Sequence, residues 1–210
     1  MDVLIIGAGN HAKVVIDILE ENREHNIIGL LDDNEGIHGE YLLDKEILGS
    51  IEKLKEFSPL ETRFIISIGD NKVRHKLYDK LLRMNFSPIN VISKHAIISQ
   101  FAKLGNGLII NAGANIHPDA LIQNNIIIGM NATISHDVVI EDSVHISPGV
   151  HLTGSVHVEN NVDIGTGAVV IPGVKIGRNS IIGAGAVVTK NVKENAVAVG
   201  VPAKTIKNLR

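Results

Sequence analysis

Hydrophobic and polar positions follow two different patterns along the chain, and the change comes near residue 90. Before it, apolar runs such as DVLIIG at 2–7 and RFIISIG at 63–69 alternate with segments in which apolar residues recur at helical spacing. The clearest helical segments are HAKVVIDILEEN at 11–22 and NKVRHKLYDKLLRM at 71–84. Strands that alternate with helices predict a small parallel sheet built from β–α–β units. We therefore expect residues 1–90 to form an α/β domain.

From Ile92 to Val188, every sixth residue is Ile, Leu or Val, over seventeen consecutive positions. Given the chain's 44% hydrophobic content, such a run would arise by chance about once in a million sequences. The residue four places after each of them is small or β-branched in nearly every hexad, and only Ser180 there is polar. The remaining positions are mostly Gly, Asn, Asp, Ser, Pro or Thr, which favour turns.

This six-residue period predicts a parallel β-helix. Each hexad supplies one short strand and one corner, three hexads close a triangular coil, and coils stack at the strand spacing of roughly 4.8 Å. The aliphatic residue of each hexad fills the interior. Residues 91–192 would form between five and six such coils, and residues 193–210 a C-terminal cap.

The composition restricts the chemistry. Cysteine is absent, which excludes disulfides, a Cys-ligated zinc site and a thiol nucleophile. The net charge of −3 argues against a nucleic-acid partner bound by bulk electrostatics. No apolar run approaches the length of a membrane span, and the N-terminus starts directly in a predicted strand. We expect a soluble, cytoplasmic protein.

A glycine-rich turn joins the first strand to the first helix. The sequence GAGNHA at 7–12 fits Gly-x-Gly-x-x-Ala, in which glycines let the backbone approach a ligand and the helix N-terminus offers N–H groups to phosphate. Asp32 and Asp33 end the second strand, where ribose hydroxyls would be bound in a Rossmann-like half domain. Three interpretations remain: a site for a nucleotide-containing ligand other than NAD, an NAD site, or a purely structural turn. The small sheet and the lack of a following dehydrogenase domain argue against NAD.

Taken together, these patterns resemble the bacterial sugar O- and N-acetyltransferases that join a Rossmann-like domain to a hexapeptide-repeat β-helix. The resemblance covers IIGAGNHAKVV at 5–15, LLDDN at 30–34, SIGDNKVR at 67–74, the hexads, and VGVPAK at 199–204. That family includes sialic-acid O-acetyltransferases and N-acetyltransferases that act on nucleotide-linked 4-amino-4,6-dideoxy sugars. The resemblance implies a left-handed β-helix and a homotrimer, whereas ordinary crossover rules would give the opposite hand.

Four histidines lie between residues 131 and 159, and their phase in the hexads separates them. His136 follows the core residue Ile134 by two positions and is the only one with an acidic sequence neighbour, Asp137. His145, His151 and His157 each directly precede a core residue and should point outward. No two of these histidines are separated by one full coil of three hexads, so they cannot stack, and we predict no metal site within one chain.

The resemblance assigns roles to particular residues. His136 would be the general base for acyl transfer, supported by Asp137 where the family usually has Glu. His145 would contact the thioester region of acetyl-CoA. By resemblance, the pantetheine arm would pass Thr166 and Ala184. The charge of the C-terminal segment has two interpretations that are compatible: its basic residues would meet the phosphates of acetyl-CoA, or they form a solvated tail that caps the open end of the β-helix. These residues are Lys190, Lys193, Lys204, Lys207 and Arg210. The nucleotide-sugar would contact residues of the front domain, namely Gly9, Asn10, His11, Asp32, Asp33, Ser67 and Gly69.

The residues together with this resemblance imply an acetyl-CoA-dependent N-acetyltransferase in bacterial glycan biosynthesis. Its substrate would be a UDP-linked 4-amino-4,6-dideoxy sugar, whose amine attacks the thioester directly. O-acetylation of sialic acid or another sugar is the alternative within the same chemistry. A non-catalytic structural or sugar-binding trimer is the alternative from another class.

Overall fold

A six-stranded sheet forms the centre of the first unit of the chain. The computed structural model describes residues 1–209, which divide into a unit Met1–Lys94 and a second unit that begins at His95. The strands of the first unit are β1 (Asp2–Ile6), β2 (Asn26–Leu31), β3 (Tyr41–Leu42), β4 (Lys45–Gly49), β5 (Thr62–Ile66), β6 (Ser87–Pro88) and β7 (Val91–Ile92). Its helices are α1 (Asn10–Asn22), α2 (Asn71–Arg83) and two short 3-10 helices, Glu35–Ile37 and Ile51–Glu56.

The sheet has the order β3-β4-β2-β1-β5-β6, and all its neighbouring strands are parallel except β3 and β4. Strand β1 lies at the centre, and its last four residues are completely buried. The chain crosses from β1 to β2 on one side and later to β5 on the other. The carboxyl ends of β1, β2 and β5 therefore meet where the strand order reverses, the usual place for a ligand in such sheets. The predicted α/β arrangement is confirmed.

The second unit consists of short strands joined by tight corners. Sixteen of them contain two residues each: β8 (Ile97–Ile98), β9 (Lys103–Leu104), β10 (Ile109–Ile110), β11 (Asn115–Ile116), β12 (Leu121–Ile122), β13 (Ile127–Ile128), β14 (Thr133–Ile134), β15 (Val139–Ile140), β16 (His145–Ile146), β17 (His151–Leu152), β18 (His157–Val158), β19 (Asp163–Ile164), β20 (Val169–Val170), β21 (Lys175–Ile176), β22 (Ile181–Ile182) and β23 (Val187–Val188). Two longer strands, β24 (Ala196–Val199) and β25 (Lys204–Asn208), follow.

These strands form three sheets, which are parallel except that β25 runs antiparallel to β24, and every strand from β8 to β23 pairs with its equivalent three hexads away. Face 1 contains β10, β13, β16, β19, β22, β24 and β25; face 2 contains β8, β11, β14, β17, β20 and β23; face 3 contains β9, β12, β15, β18 and β21. In face 2, for example, Ile116, Ile134 and Leu152 lie in one inward row, each at most 1% exposed. The unit is a left-handed parallel β-helix, as predicted.

The corners of the β-helix place one residue per hexad in the left-handed backbone region. From Gly107 to Gly185 this residue recurs every six positions with φ between 55° and 73°: Gly107, Gly113, Asp119, Asn125, Asn131, Asp137, Ser143, Gly149, Ser155, Asn161, Gly167, Gly173, Asn179 and Gly185. Only glycine adopts this conformation without strain, and Asn or Asp tolerates it better than most residues. The turn-forming residues of the hexads are thus explained by backbone geometry.

The last coil is two residues shorter than the others. Ile176 bridges to Val192 and Ile182 pairs with Ala198, each pair 16 residues apart. The shortened turn explains the polar exception Ser180, whose buried hydroxyl donates to the Lys193 carbonyl at 2.7 Å and accepts the Ala196 N–H at 3.3 Å. Strand β25 then pairs antiparallel with β24. Arg210 of the basic C-terminal segment lies outside the described residues.

The two helices of the first unit have 13 residues each. Across residues 1–209 no helix combines the length and apolar character needed to cross a bilayer.

Two glycine substitutions should separate backbone strain from steric exclusion. Gly173 has φ 71° and no atom within 4 Å of the place a Cβ would take, so Gly173→Ala should lower the free energy of unfolding by about 1–2 kcal/mol through strain alone. A Cβ on Gly165 would lie 2.6 Å from the backbone nitrogen of Ala184 in the next coil, so Gly165→Ala should cost more. Denaturant unfolding measures both, with Gly173→Asn as the control that tolerates the left-handed region. Equal losses for Gly173→Ala and Gly173→Asn would contradict the strain argument.

Candidate active site

His136 and Asp137 form a hydrogen-bonded pair on the corner between faces 2 and 3. Strand β14 ends at Ile134, and the corner turns through Asp137 at φ 59°, which directs both side chains outward. His136 Nδ1 lies 2.7 Å from Asp137 Oδ2, and the two side chains are 62% and 59% exposed. With the carboxylate as acceptor, Nδ1 carries the proton and Nε2 presents its lone pair. The arrangement suits a base that removes a proton from a nucleophile.

The neighbouring coils place specific residues above and below the imidazole. The residues at the position equivalent to His136 in successive coils are Pro118, His136, Gly154 and Pro172. The His136 carbonyl accepts the Ser155 N–H at 3.1 Å. A Cβ on Gly154 would lie 2.7 Å from His136 Cε1 and 2.8 Å from Nε2. The imidazole edge that carries Nε2 therefore leans over Gly154.

The structure contains a second histidine–carboxylate pair that the sequence pattern did not reveal. His157 Nε2 lies 2.7 Å from Glu141 Oε1, 16 residues away and in a different position of the hexad. Beside it, Glu159 pairs with Lys175 at 2.5 Å, and this hydrogen bond lowers the pKa of the Glu159 carboxyl and raises that of the Lys175 ammonium. His157 thus belongs to a network of surface ion pairs.

The remaining histidines of the 131–159 stretch occupy other positions. His151 Nδ1 hydrogen-bonds to the Thr133 hydroxyl of the coil below. His145 lies half-buried in β16, in register with Ile127 and Asp163. Among the described residues, no three His, Asp or Glu side chains are arranged to hold a metal ion.

The residues predicted to contact acetyl-CoA lie on different sides of the β-helix. Thr166 and Ala184 are exposed in successive coils at the corner between faces 1 and 2. Lys190 lies two residues after β23, just as His136 lies two residues after β14, so both are on the corner between faces 2 and 3. Three coils separate them, so Lys190 is roughly 14 Å from His136 along the corner at the strand spacing. Lys204 begins β25 and is exposed. His145 is on face 1, on the opposite side of the triangular coil from His136.

In the first unit, a cavity of about 350 Å³ opens at the carboxyl ends of β1, β2 and β5. Its walls combine apolar side chains with two carboxylates and one ammonium group; the lining residues are Gly7, Asp32, Asp33, Ile51, Ile68, Val73, Lys76 and Leu77. The apolar wall can receive a flat aromatic ring, and Lys76 can meet a phosphate.

Both carboxylates also hold the cavity in shape. Asp32 Oδ2 accepts the Ala8 N–H at 2.8 Å, and its Oδ1 accepts the Asn34 N–H at 2.9 Å. Asp33 Oδ1 accepts the Ile51 N–H at 2.9 Å. Each carboxylate oxygen can accept a second hydrogen bond, so these contacts leave capacity for a ligand hydroxyl.

Of the seven residues predicted to contact the nucleotide-sugar, only Asp32 and Asp33 line this cavity. Gly9 caps α1, and Asn10 and His11 form its first turn. Ser67 is 3% exposed, and its hydroxyl donates to the Gly7 carbonyl at 2.7 Å, which is a structural contact. Gly69 lies exposed in the turn before α2.

The sequence pattern missed Lys76 and the apolar wall of the cavity. Val73, Lys76 and Leu77 lie three and four residues apart on α2, a spacing that places them on one helix face. Helix α2 begins at the end of the SIGDN turn at 67–71, and this adjacency could have indicated that the helix borders the site. The buried Arg74 braces the same turn by donating to the carbonyls of Ile68 and Gly69, each at 3.1 Å.

Two family models match the chain. The PglD N-terminal domain model matches residues 2–81, and the bacterial transferase hexapeptide model, of six repeats, matches residues 155–190. Among curated proteins, UDP-N-acetylbacillosamine N-acetyltransferase from Bacillus subtilis is 35% identical over 115 residues, covering 53% of this chain. The alignment spans about half, 51%, of that relative's own length.

Solved structures match over nearly the whole chain. A histidine variant of perosamine N-acetyltransferase from Caulobacter crescentus, in complex with CoA and GDP-perosamine, is 34% identical with a TM-score of 0.94, and the match covers 99% of this chain and 98% of that one. The acetyltransferase domain of PglB from Neisseria gonorrhoeae, in complex with acetyl coenzyme A, is 28% identical with a TM-score of 0.93 and 98% coverage of both chains. The chain therefore belongs to the bacterial sugar acetyltransferase family that joins a Rossmann-like N-terminal domain to a hexapeptide-repeat left-handed β-helix.

Proposed function

We propose that the protein transfers the acetyl group of acetyl-CoA to the amino group of a UDP-linked 4-amino-4,6-dideoxy sugar in bacterial glycan biosynthesis. The His136–Asp137 pair is the observation that carries this proposal, because it supplies an exposed base with an oriented lone pair. The relatives support the substrate class: one is crystallised with CoA and GDP-perosamine, and another is named for a UDP-linked bacillosamine. The two relatives differ in their nucleotide, so the choice of UDP over GDP is itself part of the proposal.

The reaction is a direct transfer between two bound substrates. The amine nitrogen of the sugar attacks the thioester carbonyl, and His136 Nε2 takes a proton from that nitrogen. The new C–N bond forms, the C–S bond breaks, and the proton passes from His136 to the departing CoA sulfur. Asp137 holds the Nδ1–H and stabilises the imidazolium that forms between these steps. The chain has no cysteine to form a thioester intermediate.

The donor would lie along the coil edges. A ligand with its thioester at His136 and its phosphates towards Lys190 would follow one corner of the β-helix over roughly 14 Å. His145, Thr166 and Ala184 lie on other sides of the coil, so they could reach the same donor only from a second copy of the chain. This distribution supports a homotrimer in which active sites combine residues of two copies. Lys204 is proposed to add to the phosphate site.

The nucleotide would occupy the cavity of the first unit. The base would pack against the apolar side chains of Ile51, Ile68 and Leu77, and the ribose hydroxyls would hydrogen-bond to Asp32 and Asp33. The diphosphate would meet Lys76 and the first turn of α1, where Gly9, Asn10 and His11 present backbone N–H groups. Ser67 and Gly69 would act by shaping the adjacent turn.

Removing the base should abolish most of the activity. We expect His136→Ala to lower kcat by roughly 10²- to 10⁴-fold, because general base catalysis typically contributes that much. Thiol release from acetyl-CoA in the presence of a UDP-4-amino-4,6-dideoxy sugar is the measurement. His157→Gln, which disrupts the pair with Glu141, is the matched control and should retain activity. Near-normal turnover by His136→Ala would refute the assignment, and turnover of free sialic acid instead would favour O-acetylation.

Asp137 should contribute its charge as well as its backbone conformation. Asp137→Asn preserves a residue suited to the left-handed corner but removes the carboxylate, so we expect kcat to fall on the order of 10- to 100-fold with stability retained. Asp119→Asn makes the same change at φ 60°, one coil below on the same corner, and serves as the control. If both variants keep the wild-type kcat, the only role of Asp137 is to adopt the left-handed backbone conformation of the corner.

Lys76 should strengthen nucleotide binding through charge. Calorimetry with UDP should show roughly tenfold weaker binding by Lys76→Gln, equivalent to about 1.4 kcal/mol, and a weaker dependence on salt. Lys72→Gln removes a lysine from the same helix that does not line the cavity, so its affinity should stay unchanged. Parallel titration with GDP tests the base preference. Equal affinity of wild type and Lys76→Gln would place the diphosphate elsewhere.

A further inference from the structure

Gly154 differs from Gly129 and Gly165 of the β-helix in the atoms that an added Cβ would meet. The three atoms nearest to a Cβ placed there all belong to the imidazole of His136, at 2.7, 2.8 and 3.4 Å. At Gly129 and Gly165, the nearest atoms instead belong to the backbone of the next coil. The space beside Gly154 is therefore filled by the side chain of the proposed base.

The backbone itself does not require a glycine at this position. The φ angle of Gly154 lies outside the left-handed region that the corner glycines occupy. Residues at the same point of the other coils on this corner include Gln100, Pro118 and Pro172, so the fold accepts side chains there. The absence of a side chain at 154 therefore needs an explanation other than the scaffold, and the imidazole supplies one.

We infer that Gly154 is a positioning residue for His136, which keeps the imidazole in contact with Asp137 and its Nε2 open to the substrate by leaving space for the ring. This inference rests on the proposed function, in which Nε2 is the proton acceptor. The contribution of Gly154 is the space that its lack of a side chain leaves for the imidazole. Two residues in different coils, Asp137 and Gly154, then hold the base from two directions.

A methyl group at 154 would move the ring more readily than the fold. His136 is 62% exposed, so its side chain can rotate away into solvent while the backbone of the coil stays in place. His136 Nδ1 lies 2.7 Å from the Asp137 carboxylate, and rotation about χ1 or χ2 of His136 would break this hydrogen bond. The expected consequence is a stable protein with a misplaced base.

The test is Gly154→Ala, measured in two independent ways. Kinetics with acetyl-CoA and a UDP-4-amino-4,6-dideoxy sugar should show kcat reduced by about 10- to 100-fold, because small displacements of catalytic groups have effects of that size. The KM values of both substrates should stay within about twofold of wild type. Nitrogen NMR of histidine-labelled protein, in which His136 is assigned by its loss in His136→Ala, should show a change from a single Nδ1–H tautomer to a mixture.

Gly36→Ala is the matched control. Its φ is also outside the left-handed region, and the added methyl would meet only Asn34 Oδ1, at 3.3 Å. It should change neither kcat nor the His136 signal. Thermal unfolding of both variants should follow the wild type closely, which separates misplacement from misfolding.

The outcomes distinguish this inference from the proposed function. Wild-type kcat together with an unchanged His136 signal in Gly154→Ala would overturn the inference. A higher KM for acetyl-CoA with an unchanged signal would overturn it too, because Gly154 would then be a donor contact. If the wild-type protein acetylates no amino-sugar nucleotide, the proposed function fails, while the tautomer measurement still decides whether Gly154 positions the ring.

Discussion

The second half of the protein depends on one constraint: each coil of three hexads must lie directly over the previous coil. This register pairs every short strand with its equivalents above and below, and it aligns the inward aliphatic residues in rows. It also requires a left-handed residue every six positions, where the chain turns a corner. From Ile92 to Val188 the hexads run without interruption, which keeps each row of side chains on one side of the coil, and the two-residue shortening comes only in the last coil. The position of the proposed base, His136, and of the residues around it is a consequence of this register.

Asp137 shows how one residue can satisfy the scaffold and the chemistry together. The corner needs a residue that tolerates φ 59°, and aspartate is among the few that do. The same backbone conformation brings its carboxylate to 2.7 Å from His136 Nδ1. In the first unit, Asp32 and Asp33 combine roles in a similar way, since they brace the glycine turn and the loop at Ile51 while lining the cavity. Each of these three aspartates therefore has a structural role in addition to its proposed functional one.

Features that depend on the six-residue period or on sequence neighbours could be predicted from the sequence, whereas contacts that form only when coils or elements pack together could not. The β-helix followed from the six-residue period, and the His136–Asp137 contact from adjacency at a corner. The contact between His157 and Glu141 was not predictable in this way, because it joins residues 16 apart whose side chains meet off the three-hexad register. The shortened last coil, which explains Ser180, required the pairings of Ile176 and Ile182. The cavity wall on α2 required the position of that helix beside the sheet, which periodicity does not give.

His136 and His157 each pair with a carboxylate in the described part of the β-helix, and the geometry of these two pairs argues for different roles. In the pair with Glu141, His157 uses Nε2, so only Nδ1, the nitrogen closer to the backbone, remains for other contacts. Its neighbours Glu159 and Lys175 satisfy one another, and the carboxylate of Glu141 is only 25% exposed. In the pair with Asp137, His136 uses Nδ1, and the outer nitrogen Nε2 faces the space beside Gly154. A base must present its lone pair to a substrate that arrives from solvent. Of these two pairs, that of His136 meets the requirement, which supports the proposed role of His136 as the base, while the His157 pair joins side chains of successive coils.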